Sequence, residues 1–195
     1  MRAMSALPKR LFTQEEYLAL EIPADYRSQY VAGEIYAMAG ASPMHGVIVF
    51  NIAGLLYNQF RGRRCQGYAN DLRVRAKAGE LWTYPDLAAL CGEPQFDVAS
   101  DPNSLLNPSV IIEVLSPSTE AFDRGEKFAR YRRLESLQHY VLVAQERMRV
   151  ELFTRQADGR WLLSEYSEPA HSVPLEAVNC DLPLAEIYDK VVFPA

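Results

Sequence analysis

The run Val110-Ile111-Ile112-Glu113-Val114-Leu115 sets one carboxylate among five apolar, mostly β-branched side chains. Its length suits a strand, and its apolarity suits a central strand covered on both faces. The chain's order of elements, helix, hairpin, long helix, strands, helix and strands, offers helices as the covers. The chain is thereby constrained to a mixed α/β (α+β) architecture, a central sheet flanked by helices. The embedded acid adds a second constraint. An ionised glutamate buried on both sides costs several kcal/mol unless a partner compensates it. A bound cation is the simplest partner, and an arginine at the end of the sheet is the alternative.

The rest of the chain agrees with that class. Thr13 and Glu16 form a capping-box pattern for a short helix running to about Leu20. Tyr30-Val31 and Ile35-Tyr36 flank Ala32-Gly33 as a tight hairpin. Ser42-Pro43 starts a helix, and Met44 to Phe60 is apolar nearly all round, which predicts a largely buried helix. Leu72, Val74 and Ala76 alternate with Arg73, Arg75 and Lys77 as a half-exposed strand. A strand follows Pro85-Asp86, and 92–108 reads as a loop from its prolines and its Asp, Asn and Ser residues. Asp123 and Glu126 repeat the capping-box pattern for a helix to about Leu134, and His139 to Ala144 is a strand. Val150 to Thr154 and Trp161 to Tyr166 form a hairpin turning at Asp158-Gly159. Beyond Pro169 the chain reads as irregular, with a short helix near Leu184 to Tyr188. The 195 residues suit one domain, with the first ten residues as its disordered end.

Composition excludes some functions. A net charge of −5 argues against a protein that coats DNA through a basic surface, but leaves room for an enzyme touching a few phosphates. The clusters Arg61, Arg63, Arg64 and Arg73, Arg75, Lys77 are local candidates for such contacts, with a solvated surface as the plainer reading. Cys65, Cys91 and Cys180 are widely spaced and odd in number. They read as reduced thiols, which implies a cytoplasmic protein. No apolar run is long enough to cross a bilayer, and no apolar stretch follows the basic N-terminal residues as in a signal peptide.

Asp86 stands at the mouth of the apolar run Leu87 to Leu90, as Glu113 stands inside its own. A turn aspartate after proline is common, so its value comes from the pairing. Two adjacent strands would bring both carboxylates to one edge of a sheet, a donor set suited to Mg²⁺ or Mn²⁺. Lys127 shares a helix face with Tyr131 and Leu134 and would reach over the end of the strand. A surface lysine covering apolar area with its stem is the alternative. Phosphodiester hydrolysis needs a water nucleophile and relief of charge at phosphorus. A metal supplies both, and a nearby lysine orients the water and stabilises negative charge.

The segments YPDLAALC (Tyr84 to Cys91), PSVIIEVLSPSTEAFDRGEKFARYRRL (Pro108 to Leu134), LQHYVLV (Leu137 to Val143) and GEIYAMAGASPMHGVI (Gly33 to Ile48) resemble the Uma-type restriction-endonuclease family. That family belongs to the PD-(D/E)XK nuclease superfamily, and the resemblance implies its restriction-endonuclease-like fold. It also implies that Asp86 and Glu113 are the metal-binding acids. The superfamily's usual lysine position is occupied here by Leu115, whose carbonyl is a further metal ligand, and Lys127 takes the lysine's role from the following helix. Glu34 matches an N-terminal family glutamate that adds a carboxylate. His45 and Asp123 match recurring positions, with a capping or core role as the alternative for His45 and a helix cap favoured for Asp123. Ala32 departs from the family's Asp or Asn, and His139 from its Glu.

The expected function is a Mg²⁺-dependent DNA endonuclease acting as a homodimer, with the Val150 to Tyr166 hairpin as the candidate dimer face. No membrane partner is expected. A catalytically silent binding or structural protein of the same fold is the first alternative. A hydrolase of RNA or small phosphoesters is the second.

Overall fold

The computed structural model describes residues 10–38, 40–76 and 80–194. The disordered N-terminal end expected from the sequence and the Lys77 position lie outside the described residues, the end save for Arg10.

The central strand is β9 (Val110–Leu115), and it organises everything around it. It lies between β6 (Leu87–Cys91), antiparallel, and β10 (His139–Ala144), parallel. With β3 (Cys65–Ala69), β11 (Val150–Arg155) and β12 (Trp161–Tyr166) these form a six-stranded sheet in the order β12-β11-β10-β9-β6-β3. The parallel step from β9 to β10 needs a crossover. It is made by a helix of three joined pieces: α3 (Glu120–Phe122), a π-turn (Asp123–Lys127) and α4 (Phe128–Tyr131).

Alternation along β9 decides which side each residue serves. Val110, Ile112 and Val114 face a core shared with Ile48, Ile52 and Leu56 of α2 (Pro43–Phe60). The C-terminal hairpin β13 (Ser172–Leu175) and β14 (Cys180–Pro183) and the helix α5 (Leu184–Ile187) close that core. Ile111 and Leu115 face the opposite core, with Phe128, Tyr131 and Leu134 of the crossover. Each buried aliphatic or phenyl side chain contributes about 1.5–3 kcal/mol, so the strand is anchored from both sides. Glu113 belongs to the crossover side and is 3% exposed.

A second six-stranded sheet runs β2-β1-β5-β4-β8-β7. Its strands are β1 (Ser28–Val31), β2 (Glu34–Ala37), β4 (Arg73–Ala76), β5 (Leu81–Thr83), β7 (Phe96–Asp97) and β8 (Asp101–Leu105). It packs Val74, Ala76, Leu81 and Leu105 against the crossover side of the first sheet. The helix α1 (Gln14–Glu21) carries the Thr13–Glu16 capping box in full and adds Tyr17 and Leu18 to an aromatic cluster with Tyr30 and Trp82.

Several sequence expectations change. The 92–108 segment is not a plain loop but carries β7 and β8, and β8 pairs in parallel with β4. Strand signals were hidden there because Pro102 and the Asp and Asn residues mark turns in isolation. The predicted burial of α2 holds on one face only, since Phe50 and Tyr57 are exposed. The C-terminal region is a regular hairpin followed by α5. Asp123 does not cap a helix: the helix begins at Glu120, and Asp123 lies within it. Arg73 is buried against Asp101, and Arg75 pairs with Asp97, so neither belongs to a solvated basic surface. Cys65 and Cys91, opposite each other on β3 and β6, form a disulfide. Only Cys180 is a free, buried thiol, so the expectation of three reduced thiols, on which the compartment was inferred, is corrected. Among the described residues no helix is long and apolar enough to cross a membrane.

Candidate active site

The register of β6 against β9 pairs Leu87 with Ile112, which brings the preceding residue, Asp86, beside Glu113. Asp86 is held there by the strand itself: its Oδ2 accepts the Val114 N–H at 2.7 Å. His45 Nε2 lies 3.1 Å from the same oxygen. His45 sits in the first turn of α2, where Ser42 caps its backbone N–H at 3.1 Å and in turn donates to Gln145 Oε1 at 2.7 Å. The N-terminus of a helix favours a nearby anion, so α2 supports Asp86 through its dipole as well as through His45.

Glu113 meets the crossover. Lys127 Nζ lies 2.8 Å from Glu113 Oε1 and 3.1 Å from Asp123 Oδ1. The Tyr131 hydroxyl donates to Glu113 Oε1 at 3.4 Å. Asp123 and Lys127 are four residues apart within the π-turn, and so project to one side. Such turns recur at functional sites because the widened helix re-aims its side chains. Two outer contacts hold the turn down: the Tyr140 hydroxyl donates to the Asp123 carbonyl at 2.9 Å, and Arg124 pairs with Glu151 on β11.

Counted formally, three carboxylates (Asp86, Glu113 and Asp123) face one ammonium, and the group is acid-rich. The electrostatics follow. Burial pushes the Glu113 carboxyl up to about 8; Lys127 opposes the shift, while Asp123 and Asp86 add to it. Burial also disfavours the charged form of Lys127, but Glu113 and Asp123 outweigh it and hold the ammonium above the usual lysine range. The two shifts have different sources: burial dominates at Glu113, and the surrounding acids dominate at Lys127.

The resemblance to metal-dependent nucleases implies a divalent ion held by these acids. Among the described residues no three His, Cys, Asp or Glu side chains form a ready-made metal cluster. Magnesium does not need one: it keeps several waters and uses one or two carboxylates. An acid-rich, oxygen-only pair with a deficit of positive charge fits it.

Of the residues singled out from the sequence, Asp86, Glu113, Lys127 and His45 come together. Leu115 ends β9 with its side chain in the core, so its carbonyl lies at the carboxyl end of the strand that bears Glu113. Glu34 stands on β2, in the second sheet, where its carboxylate accepts the Tyr36 hydroxyl. The Tyr36 ring lies 6.3 Å from that of Phe122, beside Asp123, so Glu34 is tied to the start of the crossover through Tyr36. Sequence reasoning missed the part played by Asp123 and Tyr131. Their signal was the stripe 123, 127, 131, an acid and a lysine on an otherwise inward face.

The family model described as "Putative restriction endonuclease" (Uma2) matches residues 14–185. The chain belongs to the Uma2 family. Two relatives from Synechocystis are of the same length class. The protein sll1609 is 37% identical over 156 residues, covering 80% of this chain and 88% of its own. The protein slr1290 is 32% identical over 179 residues, covering 92% of each. Among solved structures, a chain from Anabaena variabilis described as "a putative nuclease belonging to DUF820" superposes with a TM-score of 0.74. It covers 91% of this chain and 98% of its own at 18% identity, a likeness of fold. The Uma2 chain thus has the nuclease-like fold that its family resemblance implies.

Proposed function

We propose that this Uma2 protein is a metal-dependent DNA endonuclease. The observation that carries the reading is the buried, acid-rich group of Asp86, Glu113 and Asp123 around one lysine, at the edge of two central strands. In this reading Asp86 and Glu113 hold Mg²⁺ or Mn²⁺, with the Leu115 carbonyl and Glu34 as further oxygen donors. The ion supplies a more acidic water and withdraws charge from the phosphate.

The chain's own residues do the rest. The Val114 N–H and His45 both engage Asp86 Oδ2, which fixes the carboxylate and orients its other oxygen. Lys127 keeps its proton, because its neighbours are acids, and so serves as a donor and fixed charge rather than as a base. It orients the attacking water and stabilises the negative charge that grows on phosphate. Asp123 and Tyr131 position Lys127 and Glu113 respectively. One such site cuts one strand, so cutting both favours a homodimer. We assign its face to the β11–β12 hairpin, where β12 is an outer strand with Leu162 and Leu163 exposed.

The test is incubation with plasmid DNA, single-stranded DNA and RNA, each with Mg²⁺, Mn²⁺ or EDTA. Metal-dependent nicking of plasmid is expected from the wild type and not from Asp86→Ala. Cleavage that persists in both Asp86→Ala and Lys127→Ala would remove the proposed site.

A further inference from the structure

Beside Asp86 lies a cavity that the proposed chemistry does not use. It has a volume of about 410 Å³, within the range of small-ligand pockets, and Glu21, Asp25, Arg27, Asp71, Arg73 and Tyr84 are among its lining residues. The Asn70 N–H, next to this wall, donates to the Asp86 carbonyl at 3.0 Å. Tyr84 precedes Asp86 by two residues, roughly 7 Å along an extended chain. The cavity and the acid cluster are therefore neighbours on one stretch of backbone.

The floor is charged and buried. Arg73, Glu21 and Tyr84 are 6%, 5% and 8% exposed. Glu21 is fully engaged, by the Ser28 N–H at 3.0 and 3.1 Å, the Ser28 hydroxyl and the Tyr84 hydroxyl at 2.8 Å. Arg73 Nε donates to Asp101 at 2.7 Å and Nη1 to Tyr84 at 3.0 Å with Glu21 Oε1 4.0 Å away, while Nη2 takes no hydrogen-bond partner among the described residues and is not sealed from solvent. The floor is thus a hydrogen-bonded network held in place by the fold, with one guanidinium nitrogen of Arg73 left to offer a ligand. The guanidinium groups of Arg27 and Arg73 each lie 5.6 Å from the centroid of the Tyr84 ring. Arg27 is half-exposed and pairs with Asp71 at the rim.

Charge decides the class of ligand. The lining acids Glu21, Asp25 and Asp71 outnumber Arg27 and Arg73, so binding has to come from a base rather than from a phosphate. A neutral planar ring that stacks and hydrogen-bonds at its edge is favoured. We propose that this cavity receives a nucleobase of the DNA strand, next to the bond cut at Asp86 and Glu113, stacked against the Arg27–Tyr84 pair with its acceptor edge toward Arg73. Guanine, whose O6 and N7 are both acceptors, is the best match to an arginine. The proposal rests on the nuclease reading.

The experiment is a titration with deoxyguanosine 5′-monophosphate in EDTA, followed by saturation-transfer NMR and thermal shift, with deoxyribose 5-phosphate and inorganic phosphate as controls without a base. Saturable binding of the nucleotide alone is expected. Arg27→Ala should weaken it roughly tenfold, the scale of base stacking on such a surface. Lys190→Ala, at an exposed site outside the cavity lining, should leave it unchanged. An equal response to deoxyribose 5-phosphate, no saturation, or no effect of Arg27→Ala overturns the proposal. The wild-type comparison stands whether or not any variant folds. Because no metal or cleavage is involved, the two readings fail separately. Cutting without nucleotide binding removes the cavity's role and keeps the nuclease; binding in a protein that never cuts does the reverse.

Discussion

Glu113 is the residue on which the site turns, because nothing in a sheet interior tolerates a lone carboxylate. Its carboxyl titrates near 8 in the folded chain against 4.5 as an ordinary glutamate. A raised carboxyl pKa means that the folded state holds its proton more tightly than the unfolded one. In EDTA the associated stability is fully present below pH 4.5 and is lost as pH rises through 8. Glu113→Gln should remove that dependence, so in chemical unfolding at pH 7–8 the variant gains on the wild type by an amount on the order of 1 kcal/mol or more. A difference between wild type and variant that stays constant from pH 4.5 to 8 would show that Lys127 fully compensates the carboxylate. Lys127 acts on charge that develops during reaction, so Lys127→Ala should lower kcat by roughly a hundredfold or more with little change in KM. Steady-state nicking kinetics check this, and a loss confined to KM would contradict it.

Elements carry these residues, and most were legible as elements. The β9 run, the 43–60 helix, the Thr13 cap and both hairpins were readable from local rules, because each combines a clear period with a clear turn or cap. The π-turn was not. Asp123 followed by Glu126 looks like a cap in isolation, and only the long-range partners, Glu113 for Lys127 and the Tyr140 hydroxyl for the Asp123 carbonyl, give the turn its role. Strand β8 was hidden likewise, since its pairing with β4 lies outside its own sequence. The hairpin between β1 and β2 holds an uncompensated local cost. Ala32 adopts φ 47° and Gly33 φ 95°, both left-handed. Gly33 has no Cβ to strain, and one would sit 3.0 Å from Leu11 Cβ. Ala32 has no such freedom. Ala32→Asn should therefore stabilise the protein by about 1 kcal/mol, read as a higher denaturant midpoint at unchanged slope. A lower midpoint would mean that the alanine methyl contributes packing that outweighs its strained backbone.

At the scale of the molecule, the two sheets enclose the crossover helix, and Glu113, Lys127 and Asp86 meet where strands β6 and β9 adjoin it. The first sheet was foreseen. The second was only partly so, because its strands are short and their partners distant. The chemistry was legible earlier than the architecture, since acids inside apolar runs announce themselves without any knowledge of pairing. The disulfide was not legible, because cross-strand register alone brings Cys65 opposite Cys91. Closing that loop should contribute about 3 kcal/mol, so dithiothreitol should lower Tm, and thiol titration of the unreduced, unfolded chain should find Cys180 alone. Three reactive thiols and an unchanged Tm would remove the bond. The most direct trial of the whole account is a crystal soaked in Mn²⁺ and measured at the manganese absorption edge. One anomalous peak is predicted within ligand distance of both Asp86 and Glu113, absent from Glu113→Gln; a fully soaked crystal with no peak there, or with the peak elsewhere, would contradict it.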